Sequence, residues 1–105
     1  MRPGLAGNVA DSMPKFLIER NIPGIERWGP DQMKAVARKS NDVLADLGTQ
    51  IQWIQSYVVS GKLFCVYIAP DELLIREHAR LGGFPCNSVT RIAEVIDPTT
   101  AEIRA

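Results

Sequence analysis

The chain has 105 residues, enough for one domain that buries a core without needing a disulfide or a structural metal. Its 46% hydrophobic and 23% charged residues describe a folded globular protein rather than a disordered one, and twelve basic residues balance twelve acidic ones. That neutrality removes the long-range field that gathers nucleic acid, and no window approaches the roughly 18 apolar residues of a membrane span, so neither nucleic acid nor membrane is expected as a partner.

The opening MRPGLAGNVADS is rich in Gly, Pro, Asn and Ser and lacks the apolar core of a signal peptide, so residues 1–12 are expected to be an extension ahead of a domain at 13–98. KFLIER (15–20) is short, apolar and closed by the turn residues NIPG, the pattern of a strand. Pro30 suits a first helical turn, after which Met33, Val36, Ala37, Ser40, Val43, Leu44 and Leu47 recur at helical spacing until Gly48. IQWIQSYVV (51–59) and KLFCVYI (62–68) are β-branched and aromatic and are joined by Ser60-Gly61, which predicts a hairpin. Pro70-Asp71 opens a second helix whose stripe of Leu74, Ile75, His78, Ala79 and Gly82 turns His78 inward. Gly82-Gly83 follows a helix rather than preceding one, which suits a C-cap and not a phosphate cradle. SVTRIAEVI (88–96) predicts a fourth strand, and 99–105 a polar tail.

The order βαββαβ predicts an α+β, ferredoxin-like fold: a four-stranded antiparallel sheet with both helices on one face. FLI (16–18) and LFCVYI (63–68), the expected central strands, are apolar on both alternating faces, whereas a sheet covered on one side should be polar on the other. A second copy packed sheet against sheet is the economical cover, so a homodimer is expected. Cys65 lies in an apolar strand and Cys86 in a loop, a pattern read as reduced thiols in a cytoplasmic protein.

MPKFLIER (13–20), SYV (56–58), FCVYIAPDE (64–72) and IREHARLGGFP (75–85) together resemble a family of small bacterial proteins, mostly of unassigned function, that includes a nickel-binding member. The resemblance implies a dimeric α+β barrel and places His78 at the helix-two position associated with nickel in those relatives. They also carry imidazoles near the end of strand one and just before the proline after helix two. Here Glu19 and Arg20 stand at the first place and Phe84 before Pro85 at the second, and Gln55 stands where some members have a strand-two histidine. A site for nickel or another divalent transition metal would therefore combine His78 with a carboxylate such as Glu19, a thiolate or water.

Read from the residues themselves, His78 is balanced between a core histidine and a functional imidazole. Glu19 is a carboxylate in a central strand, which needs a partner. Trp53, Gln55 and Tyr67 have the makings of a ligand pocket with His78, aromatic walls with polar tips, and equally those of an ordinary interface. No motif makes Cys86 a nucleophile with His78 as its base, so no catalytic residue is assigned. Three functions stay open: binding of a metal or small ligand in a cavity containing His78, a cofactor-free oxygenase or isomerase of the dimeric α+β barrel type, and a structural or regulatory dimerisation module.

Overall fold

The computed structural model describes residues 13–102, so the extension at 1–12 and the last three residues of the tail lie outside the described residues. Six elements follow in βαββαβ order: β1 (Lys15–Asn21), α1 (Pro30–Leu47), β2 (Gln52–Val59), β3 (Lys62–Ile68), α2 (Glu72–Gly82) and β4 (Ser88–Arg91). The sheet is antiparallel in the order β2-β3-β1-β4, with β1 and β3 central. This is the ferredoxin-like α+β fold that the sequence predicts. None of the helices among the described residues is long and apolar enough to cross a membrane.

Local chemistry sets the helix ends. Gly29 N–H donates to Gln32 Oε1 at 3.2 Å at the start of α1. Asp71 Oδ1 accepts the Leu74 N–H at 2.9 Å and caps α2. Gly83, at φ 70°, turns α2 off, and the Phe84 N–H reaches back to the Ala79 carbonyl at 2.9 Å.

β4 is shorter than SVTRIAEVI suggests, ending at Arg91. It pairs only with β1, and the Ile92 N–H takes the Lys15 carbonyl at 2.9 Å. Beyond that, Pro14 has no N–H to offer, and its carbonyl already accepts from Ala69 at 3.2 Å. Two short 3-10 turns, Ile25–Arg27 and Pro98–Glu102, complete the described chain.

The core lies between the helices and one face of the sheet. Phe16 and Ile18 of β1, Cys65 and Tyr67 of β3, and Ile75 of α2 are buried there, with Leu44, Leu47 and Leu74 packed against them. Ile18 and Ile75 are fully buried, each contributing about 2–3 kcal/mol by leaving water. The opposite face, with no helix over it, carries Leu17 opposite Val66 and Glu19 opposite Phe64, an apolar centre beside the Glu19–Lys62 ion pair.

Candidate functional site

Four elements, β1, α1, β3 and α2, converge on a polar group inside this core. The β1 alternation that buries Phe16 and Ile18 also turns Arg20 toward the helices, where only 2% of it stays accessible. Nη1 of Arg20 donates to the Pro85 carbonyl oxygen at 2.6 Å, and the guanidinium lies 5.4 Å from the centre of the Phe84 ring. Nη2 of Arg20 has no hydrogen-bond partner among the described residues. The loop that offers Pro85 is held to β1, since the Asn87 N–H donates to the Glu19 carbonyl at 2.8 Å and Asn21 N–H to Asn87 Oδ1 at 2.6 Å.

Beside Arg20, His78 of α2 is fully enclosed. Its Nε2 lies 3.1 Å from Ser40 Oγ of α1, and Ser40 Oγ lies 3.3 Å from the Tyr67 hydroxyl of β3. Ser40 thus bridges helix, helix and sheet. The His78 ring also packs between Tyr67, 5.0 Å away, and Phe84, 5.5 Å away, while Nδ1 has no partner among the described residues. Burial, helped by the Arg20 charge, pushes the His78 imidazole down to about 4, so it is neutral at neutral pH. Burial likewise holds the Tyr67 phenol above its ordinary range, against the opposing bond to Ser40.

Next to this group is a cavity of about 190 Å³ between α1 and the sheet. Met33, Val36 and Leu63 belong to its almost wholly apolar wall, and Arg20, Ser40 and Tyr67 supply polar groups. Trp53, on the same wall, stacks on Tyr67 with centroids 6.4 Å apart and donates its indole N–H to Ser56 Oγ at 2.9 Å. His78 does not line the cavity itself; it stands behind Ser40 and Tyr67.

Of the residues singled out in the sequence, Trp53, Tyr67 and His78 come together and Gln55 and Glu19 do not. Gln55 would share a face with Trp53 by simple alternation, but β2 bulges between them. Trp53 therefore sits opposite Tyr67 while Gln55 sits opposite Val66 on the helix-free face, where it donates to the Tyr57 hydroxyl. Glu19 alternates with the buried Ile18 and Arg20, faces away from the helices, and pairs with Lys62 at 2.9 Å. A site joining His78 to Glu19 within one chain is thereby corrected: the sheet lies between them. No group of three or more His, Cys, Asp or Glu that could hold a metal occurs among the described residues.

Arg20 and Phe84 are the site residues that sequence reasoning missed. In the sequence Arg20 stands only beside Glu19 where relatives carry an imidazole, although its parity with Phe16 and Ile18 points inward. Phe84 depends on Gly82: its ring lies where a Cβ on that glycine would stand, and only the bare backbone lets it fold back toward Arg20 and His78.

A family described as "Nickel responsive protein SCO4226-like" matches residues 16–92. The crystal structure of SCO4226 from Streptomyces coelicolor A3(2) has the same fold, with a TM-score of 0.66 at 15% identity over 78% of this chain and 99% of that one. No curated protein matches the chain.

Proposed function

The chain belongs to the SCO4226-like family of nickel-responsive proteins, and on that premise we propose that it is a ligand-binding protein whose cavity between α1 and the sheet holds a small, largely apolar organic molecule. The observation that carries this reading is the cavity of about 190 Å³ with Trp53 and Tyr67 in its wall. The cavity is partly open to solvent, so a guest can enter, and an apolar space of about 150 Å³ already accepts a benzene-sized one.

Nickel comes with the family description, but the donors within one chain do not fit it. The single imidazole has its Nε2 engaged by Ser40, Glu19 is across the sheet on Lys62, and no three donors converge among the described residues. No step here runs through a metal. Catalysis is also poorly served, because His78 is pushed down to about 4 and Tyr67 is raised, which leaves neither poised as an acid or base near pH 7.

The same reading includes a second copy over the helix-free face. Leu17, Phe64 and Val66 form an apolar centre there, Tyr57 is 50% exposed, and Glu19 and Lys62 give the face both signs of charge, which a two-fold axis can match. Two unpaired thiols, Cys65 and Cys86, support a reducing, cytoplasmic setting.

The test is a titration of the full-length protein with benzyl alcohol, a neutral apolar guest, followed through the Trp53 indole N–H resonance. A saturable shift, abolished in Ala37→Phe, which plugs the cavity from α1, is the expected result. An unshifted Trp53 resonance, or the same shift in the plugged variant, would overturn the reading.

A further inference from the structure

We propose that the cavity's ligand is a monocarboxylate with a compact apolar body, and that Arg20 is the residue that receives its carboxylate; this rests on the reading of the cavity as an organic-ligand site. Arg20 carries a buried charge that no carboxylate among the described residues answers. A guanidinium stays protonated at any accessible pH, so burying it does not neutralise it, and an unpaired buried cation is costly. Arg20 is 2% accessible yet makes no ion pair among the described residues.

What surrounds Arg20 satisfies it only in part. Pro85 supplies one carbonyl oxygen, Phe84 a ring face and Tyr67 a hydroxyl whose titration the guanidinium influences, all weaker than a carboxylate, and no hydrogen bond of ordinary geometry reaches Nη2 among the described residues. The one acidic neighbour in sequence, Glu19, is turned to the other side of the sheet and held by Lys62. If Arg20 served only to tie down the loop after α2, Nη1 alone would do it. A permanent cation without a carboxylate partner, on a residue that lines an apolar cavity, is instead suited to an anion arriving with an apolar body.

The lining fixes the class of ligand. Arg20 is the only charged residue among the described residues that line the cavity, which suits a single negative charge rather than a phosphate dianion. The remaining hydroxyls are neutral and weaker donors to an anion than a guanidinium: Ser40 is already shared between His78 and Tyr67, and Ser56 accepts from Trp53 and keeps only its own O–H to offer. Trp53 and Tyr67 stack nearly parallel, with 19° between their planes, and offer a flat wall to a ring. The volume of about 190 Å³ suits one ring with a short acidic arm, an arylacetate rather than a long-chain acid.

Phenylacetate, phenylacetamide and acetate separate the parts of the claim, each titrated into the full-length protein at fixed ionic strength and read at the Trp53 indole N–H. The amide keeps the ring and loses the charge, while acetate keeps the charge and loses the ring. Phenylacetate is expected to bind at least about tenfold more tightly than either, since a charge-assisted hydrogen bond in a desolvated site is worth at least that factor. In Arg20→Met the preference over the amide should vanish while the amide's own affinity persists; Arg20→Gln serves the same purpose if the methionine variant does not fold. Equal binding of acid and amide by the wild type would overturn the carboxylate assignment and leave the ligand cavity standing. Binding of neither would overturn both. A preference for the acid that survives loss of Arg20 would assign the anion to another group and overturn the role given to Arg20.

Discussion

Lowering the pH from 7 toward 4 destabilises the fold through His78, because the enclosed imidazole resists the proton that the unfolded chain accepts. Its ordinary value is 6.5 and its value in the fold is about 4. Above pH 6.5 both states carry a neutral ring and the pH does not matter. Between 6.5 and 4 only the unfolded chain is protonated, so stability falls with falling pH, by about 3 kcal/mol over the whole window. The groups that face the ring are Arg20 from β1, Tyr67 from β3, Ser40 from α1 and the Phe84 ring after α2, and none of them supplies a negative charge that would welcome the proton. Urea unfolding followed by tryptophan fluorescence at half-unit steps from pH 7.5 to 4, on the wild type and His78→Gln, isolates the effect. Carboxylates held below their usual range, such as Glu77 beside Arg80, add acid sensitivity to both proteins equally. The wild-type curve should fall about 3 kcal/mol further than the variant's, most of it above pH 4.5. Parallel curves would refute the argument that His78 is buried neutral.

Ser40→Ala strips the bridge from both His78 and Tyr67, leaving two buried polar groups short of a partner, and should cost about 1–3 kcal/mol in chemical denaturation, against near-neutrality for Thr49→Ala in the exposed loop after α1. Gly82→Ala places a methyl against the Phe84 ring and should cost about 1–3 kcal/mol while weakening phenylacetate binding, as measured by thermal unfolding and by the Trp53 titration. Light scattering should give twice the chain mass for the wild type, and Phe64→Asp on the helix-free face should return it to a monomer; a monomeric wild type would contradict the dimer. Calorimetry with nickel on the dialysed protein should show any uptake to be the same in the wild type and His78→Ala, and a loss of uptake with the imidazole would contradict the donor argument.

Much of the architecture is legible in the residues because its punctuation is strong. Pro30 and Gly48 bound α1, Asp71 and Gly83 bound α2, and Ser60-Gly61 turns the hairpin, each by a backbone preference that needs no tertiary information. The end of β4 is different, since Arg91 is its last residue only because β1 runs out of pairing groups at Pro14. The site divides the same way. Helical spacing suffices to turn His78 inward, and strand alternation suffices for Tyr67. Gln55 fails because a bulge at one residue of an edge strand reverses every face before it relative to those after, and such a bulge leaves no compositional mark. Arg20 shows the opposite error: its inward parity was visible, but a charge next to a turn is ordinarily solvated, and only the packing of Phe84 and Pro85 around it reveals a buried cation.

Where an aryl carboxylate binds tests the assignment of the cavity and of Arg20 most directly. Diffraction from crystals of the full-length protein soaked in 4-bromobenzoate, with data collected at the bromine edge, locates the ring without reference to any assumed pose. One strong bromine peak per chain is expected inside the cavity between α1 and the sheet, close to Trp53, with the carboxylate on the Arg20 guanidinium. Bromine found only on the outer surface, with the cavity unchanged and Arg20 still without an anion, would contradict that assignment.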